Sequence, residues 1–254
     1  MNEKAVNAVD LARAVDRLTP PQPVRAMRPN TAAPLHGLPN PVYCLALQRG
    51  LDVAAAVAGL LFLLLVLPAL ALIIKLDSPG PVFYNQDRVG HDRRRQRRRV
   101  VIDRRSSLTP GRPFKVWKLR TMVTDAERNG PQWAAKNDCR VTRIGRFLRK
   151  TRLDEVPQFW NVLRGEMSLV GPRPERLCFI NQFEREVPRY RERLLVRPGI
   201  TGLAQVENGY DTDLESVRRK VALDRRYVRD VGLGTDLKIL AKTVKVVLKG
   251  SGAL

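Results

Sequence analysis

The 254-residue chain is long enough for one large domain or two small ones with a sizeable core, and 46 Lys and Arg against 25 Asp and Glu leave a net charge of +21. Such an excess points to polyanionic partners, among which composition does not choose: nucleic acid, anionic lipid headgroups or phosphorylated substrates. Three cysteines without paired spacing (Cys44, Cys139, Cys178) and two distant histidines (His36, His91) argue against a disulfide framework, a zinc site or a histidine-based triad, and fit a reducing cytosolic environment.

Residues 1–41 read as a short helix (Val6 to Leu18) followed by a Pro- and Ala-rich linker carrying Pro20, Pro21, Pro23, Pro29, Pro34, Pro39 and Pro41. No cleavable signal peptide is expected, because the apolar run begins too late. That run, Val53 to Ile74, contains no charged residue. At ~1.5 Å per residue it is long enough to enter or cross a bilayer, and it is too long and too leucine-rich for an ordinary buried helix. Pro68 lies inside it, which leaves two geometries open: a straight span, or a helix that bends and returns to the same face. The strongly basic remainder places everything downstream on the cytoplasmic side. Val82-Phe83-Tyr84 and Phe114 to Leu119 read as short strands. Between them the stretch 92–110, with Arg93-Arg94-Arg95 and Arg97-Arg98-Arg99, is an exposed loop, either merely solvated or docked on anionic lipid. From Ala126 onward the chain is mainly helical: Val156, Phe159, Trp160 and Leu163 recur at helical spacing. From Asp236 to Lys249, Lys238, Lys242, Lys245 and Lys249 face one way, and Leu237, Leu240, Val244, Val247 and Leu248 the other. Such a helix suits a membrane interface and an ordinary surface equally. The elements make an α+β, mainly helical chain with a small β-hairpin.

The chemistry concentrates between residues 149 and 202. Asp154 and Glu155 sit just before Pro157, at a predicted helix start where negative charge is favoured. An ionised Asp can attack phosphorus, and Asp or Glu oxygens are suitable Mg²⁺ ligands; alternatively Asp154 only caps the helix while Glu155 pairs with Arg149 or Arg152. In Gly171-Pro172-Arg173-Pro174 two prolines fix the backbone around one arginine, pre-aiming a guanidinium suited to phosphate. Arg197-Pro198-Gly199-Ile200-Thr201-Gly202 repeats the theme.

These blocks, in order, make the chain resemble the bacterial sugar transferases, monotopic phosphoglycosyl transferases, over roughly Gln48 to Lys249. The resemblance rests on Arg49 and Asp52, Lys75 to Tyr84, Gln86 to Gly90, Lys118 to Met122, Leu153-Asp154-Glu155, Asn161 to Leu163, Met167 to Pro174 and Arg197 to Gly202. It implies transfer of a sugar 1-phosphate from a UDP-sugar to polyprenyl (undecaprenyl) phosphate with release of UMP, a first membrane step in exopolysaccharide, capsule, O-antigen or glycoconjugate synthesis. The implied place is the cytoplasmic face of the bacterial inner membrane. By the same resemblance Asp154 is the nucleophile that becomes an aspartyl phosphosugar, and Glu155 its partner in Mg²⁺ or proton handling. Arg149 and Arg173 contact phosphate, with Lys118, Arg120 and Arg197 as further substrate-binding candidates. Residues 42–77 form a re-entrant membrane helix broken at Pro68, and 78–254 a catalytic domain with interfacial helices around the site.

Three departures are visible. The helix break reads Leu67-Pro68 where the family has Ser-Pro, losing a hydroxyl for the freed backbone groups. The loop at 92–110 is longer and more basic. Val206-Glu207-Asn208-Gly209-Tyr210 lacks the arginine of an Asn-Gly-Arg sequence, which leaves donor identity open. The short N-terminus is expected to hold no multi-span domain. Nucleic-acid binding is disfavoured: no helix-turn-helix or zinc-finger pattern appears, and aromatic content is 6%. Homo-oligomerisation stays open.

Overall fold

The computed structural model describes residues 43–92, 110–128, 130, 138–208 and 213–249, all within the unit Gly37–Leu254. The predicted N-terminal helix and linker, most of the Arg-rich loop, and Gly209 and Tyr210 lie outside the described residues.

A π-helical turn, Tyr43–Leu47, leads into a 30-residue helix α1, Gln48–Asp77. Its backbone stays helical through Pro68 rather than ending there. Among the described residues α1 alone is long and apolar enough to cross a membrane, and only 17% of its most apolar stretch is buried. One face, with Asp52, Ala56, Leu63, Leu70 and Ile74, turns inward. The other carries Leu61, Leu64, Leu65, Leu72 and Leu76, which are 61–80% exposed. A soluble core helix does not leave so much leucine in water.

The inward face of α1 belongs to the domain core. Ala56 packs with Phe114, Val116, Val162 and Met167; Leu70 and Ile74 pack with Leu119 and Leu148. Polar anchors fix both ends. Asp52 accepts hydrogen bonds from Ser168 Oγ (2.9 Å) and the Leu169 N–H (2.8 Å). Arg49 donates to the carbonyls of Val162 (2.6 Å) and Leu163 (2.7 Å), which close a short helix and lack intrahelical donors. At the far end Asp77 Oδ2 accepts from the Ile144 N–H at 3.0 Å. Arg49→Ala removes the side-chain donor from both carbonyls and leaves only Val162 O with a backbone donor, the Gly165 N–H at 2.9 Å, so a loss of about 1–3 kcal/mol and a lower melting temperature are expected. An unchanged melting curve would mean that apolar contacts alone hold this end of α1.

The two predicted strands pair as an antiparallel hairpin of β1, Phe83–Val89, and β2, Pro113–Leu119, with Tyr84 opposite Lys118 and Val89 opposite Pro113. Helix α2, Arg143–Thr151, is capped by Thr142, whose hydroxyl accepts from the Gly145 N–H. A 3-10 turn, Leu153–Glu155, precedes α3, Gln158–Leu163. Strands β3, Ser168–Val170, and β4, Gly199–Thr201, pair in parallel. Between them in the chain run α4, Leu177–Glu186, and the 3-10 helix Tyr190–Leu195. The chain finishes with α5, Leu203–Glu207, α6, Leu214–Arg229, and α7, Leu233–Leu248. The lysine-faced helix predicted from Asp236 is thus α7. Its apolar side is not buried either, since Leu237, Val244 and Leu248 are all more than half exposed. A second core, behind β1, joins Val89 to Ile180, Phe183, Tyr190, Val217 and Val221.

Candidate active site

Asp154 and Glu155 do not start a helix. They form the 3-10 turn ahead of α3, whose N-cap is Pro157, and no side chain caps it. The turn is entered through Arg152, a non-glycine residue in the left-handed region (φ 60°, ψ 13°). That conformation costs about 1–3 kcal/mol and is tolerated where the surroundings hold it. Both carboxylates are buried (6% and 7% exposed), yet both line a cleft of about 510 Å³.

Three elements bring cations to this pair. Lys118, at the end of β2, places Nζ 3.4 Å from Glu155 Oε1. Arg173, in the turn after β3, places Nη2 2.6 Å from the same oxygen. Arg149, in the last turn of α2, lines the cleft while its Nε donates to Thr121 Oγ1 at 3.0 Å. Burial alone would raise Glu155, but Arg173 and Lys118 hold its carboxyl well below the usual carboxylate range. The opposite holds for Asp154. Burial pushes its carboxyl up, to about 6, against the attraction of Lys118 and with the added repulsion of Glu155. No hydrogen bond or ion pair from the described residues reaches the Asp154 carboxylate. Glu155 is thus the paired carboxylate of the two, and Asp154 the one without a pairing partner among the described residues.

The two proline–arginine turns lie side by side but do different work. The parallel pairing of β3 with β4 sets Gly171 against Gly199 so closely that a Cβ on either would collide with the other's backbone. Gly171 N–H donates to Thr201 O (2.9 Å) and Gly199 N–H to Pro172 O (3.0 Å). From this frame Arg173 reaches into the cleft. Arg197, grouped with it from the sequence, is not among the residues lining the cleft; its segment backs the turn that carries Arg173. Arg120 lines the cleft wall; its two terminal guanidinium nitrogens donate to the carbonyls of Ile74, Ser78 and Pro79 at the C-terminal end of α1, while its buried Nε has no hydrogen-bond partner among the described residues. Pro68 is exposed and distant in sequence from every lining residue.

Beside and behind the cleft stand residues that sequence reading did not single out for the site. Arg193 is 2% exposed overall and threads behind the site. It donates through Nε to Asp224 (2.9 Å), through Nη1 to Tyr190 Oη (3.1 Å) and through Nη2 to the carbonyl of Arg173 (2.9 Å). Glu175 pairs with Lys220 and Arg88; burial would raise it, but Lys220 and Arg193 bring it down to about 2. On another wall Glu127 receives hydrogen bonds from Tyr84, Gln86 and Arg176. Apart from the Arg193–Tyr190 bond, each of these contacts joins residues 20 or more positions apart in the chain.

No cluster of three or more His, Cys, Asp or Glu side chains exists among the described residues. A protein-only metal cage is therefore missing there, but Mg²⁺ is commonly held by one or two carboxylates together with substrate phosphates. The free carboxylate of Asp154, beside Glu155 and under a wall of phosphate-seeking cations, fits that mode.

The profile of the bacterial sugar transferase family matches residues 43–250. The chain is 43% identical over 216 residues to the UDP-N-acetylgalactosamine-undecaprenyl-phosphate N-acetylgalactosaminephosphotransferase of Aeromonas hydrophila, covering 85% of this chain and 47% of the relative. It is 40% identical over 214 residues to the UDP-glucose:undecaprenyl-phosphate glucose-1-phosphate transferase of Escherichia coli K12, covering 83% and 42%. A similarly described protein of Caulobacter vibrioides is 41% identical over 209 residues, covering 81% of this chain and 71% of that relative. The chain spans about half the length of the Aeromonas and Escherichia relatives.

Proposed function

The chain belongs to the bacterial sugar transferase family, and from that membership we propose that it moves a sugar 1-phosphate from a UDP-sugar to polyprenyl phosphate, releasing UMP. The relatives' names carry the donor and acceptor classes. The observation that carries the chemistry is Asp154, a buried carboxylate left unpaired in a cleft lined with lysine and arginine.

In this reading Asp154 Oδ attacks the phosphorus that bears the sugar. A carboxylate–phosphorus bond forms, the bridging bond to UMP breaks, and UMP departs with the electron pair. An oxygen of the polyprenyl phosphate then attacks the same phosphorus and frees Asp154. A covalent intermediate lets one site serve a soluble donor and a lipid acceptor in turn. Arg173, aimed by the two prolines and held from behind by Arg193, and Lys118 and Arg149 balance the phosphate charge that Asp154 must approach. Glu155 keeps Arg173 and Lys118 in place by pairing with both. A Mg²⁺ ion, when bound, supplies further charge neutralisation between pyrophosphate and carboxylate.

For the membrane, the exposed leucines of α1 and the apolar, lysine-flanked side of α7 support association with the bilayer surface. Because both ends of α1 are fastened to the same domain, α1 enters the membrane by its leucine face without crossing it, and the catalytic domain stays on the cytoplasmic face. The test is UMP release by purified protein in detergent with polyprenyl phosphate, Mg²⁺ and a panel of UDP-sugars. UMP from one donor, dependent on acceptor, names the sugar as well as the reaction. No UMP from any donor, with the protein folded, would remove the transferase reading.

A further inference from the structure

A second cleft, of about 260 Å³, opens on the other side of the catalytic turn. Its apolar walls come from Val156, Phe159 of α3, Ile200 of β4, Val206 of α5 and Val247 of α7. Its threonine hydroxyls are already engaged: Thr201 Oγ1 lies 2.7 Å from Thr243 Oγ1, and Thr151 Oγ1 donates to Phe147 O. Its charged and amide side chains are Arg152, Glu155 and Gln205, and these same three residues also line the catalytic cleft. Gln205 spends its Nε2 on Ile200 O at 3.0 Å, while its buried Oε1 has no hydrogen-bond partner among the described residues. At the membrane side, Phe159 packs against Gly59 of α1.

An apolar cleft joined through a polar junction to a cationic one matches a ligand with an ionic head and an apolar tail. We propose that this second cleft holds the phosphate-proximal isoprene units of the polyprenyl phosphate acceptor, whose head passes the Arg152–Glu155–Gln205 junction toward Asp154. A peptide is a poorer occupant, because its backbone N–H and C=O groups need partners and the wall hydroxyls are bonded to the protein. The assignment rests on the transferase reading above.

Two measurements test it. Val246→Phe and Val247→Trp, both on α7 and neither lining the catalytic cleft, narrow the second cleft. Each is expected to raise the acceptor KM by roughly tenfold or more, a loss of about 1.4 kcal/mol, with the KM for the UDP-sugar unchanged. An unchanged acceptor KM, or equal losses for donor and acceptor, overturns the proposal. Since either variant can fail to fold, the wild-type protein is also photolabelled with a polyprenyl phosphate bearing a diazirine in its first isoprene units. Labels on Val206, Val247 or Phe159, suppressed by excess undecaprenyl phosphate and not by phosphatidylglycerol, support the cleft. Labels confined to the exposed face of α1, or suppressed equally by the phospholipid, sink it. Photolabelling needs no turnover, so it separates failure of the cleft from failure of the transferase reading, which shows as no UMP from the wild type.

Discussion

Asp154→Asn is expected to abolish UMP release, by roughly a thousandfold or more, while raising the melting temperature at neutral pH. The two effects share one cause. Burial lifts the Asp154 carboxyl from its ordinary 3.8 to about 6. For an acid whose folded pKa is raised, the native state binds the extra proton between those values. Stability therefore falls as pH rises through that window, and above pH 6 the ionised carboxylate costs on the order of 1–3 kcal/mol. Asparagine keeps the shape and removes the charge. The gain in melting temperature should be several degrees above pH 6 and should vanish below pH 4, where the wild-type carboxyl is protonated in both states. Thermal melts of both proteins from pH 4 to 8 read this directly. A lower melting temperature for the variant at pH 7.5 would mean that Asp154 is an internally satisfied structural carboxylate. The same ionisation governs turnover: kcat/KM of the wild type should fall about tenfold per pH unit below 6, because a nucleophile must be deprotonated.

The site was legible in sequence where its parts are neighbours in the chain. Asp154 and Glu155 are adjacent, and Arg173 is framed by its own prolines, so both could be singled out before their positions in space were known. The hairpin of β1 and β2 was legible from apolar runs bounded by turns. What stayed hidden depends on long-range packing. Local sequence cannot show which way a turn aims its side chain, so Arg173 and Arg197 looked equivalent, although only Arg173 lines the cleft. For Arg120, nothing nearby in sequence reveals that the carbonyls of Ile74, Ser78 and Pro79 come to meet two of its nitrogens. The capping alternative for Asp154 failed for a local reason instead: the left-handed Arg152 ends α2 and starts a 3-10 turn, so the carboxylate is buried before α3 begins. The long apolar helix was legible by composition, but not its anchoring, since Arg49 and Asp52 at one end meet partners more than a hundred residues away and Asp77 at the other meets Ile144, 67 residues on.

Arg193 carries the largest structural stake outside the carboxylate pair. Its side chain and that of Asp224 are 1% and 2% exposed, with 2.8 Å between them, and no local motif announces the pairing. Arg193→Met leaves the Asp224 charge buried without its main partner, which should cost about 3–5 kcal/mol and lower the melting temperature sharply. The double variant Arg193→Met, Asp224→Asn removes the stranded charge and should recover much of that stability. Activity should not recover with it. The third hydrogen bond of Arg193 goes to the carbonyl of Arg173, and neither methionine nor asparagine replaces that donor, so the turn that aims Arg173 at the phosphate site loses its rear support. A kcat reduced by roughly tenfold or more in the double variant, at a melting temperature near that of the wild type, identifies Arg193 as a positioning residue. Recovery of kcat in step with stability would make it a structural ion-pair partner and nothing more. Arg193→Lys sharpens the distinction: it keeps the charge beside Asp224 but lacks the fork that reaches Asp224, Tyr190 and Arg173 together, so it should hold stability better than activity.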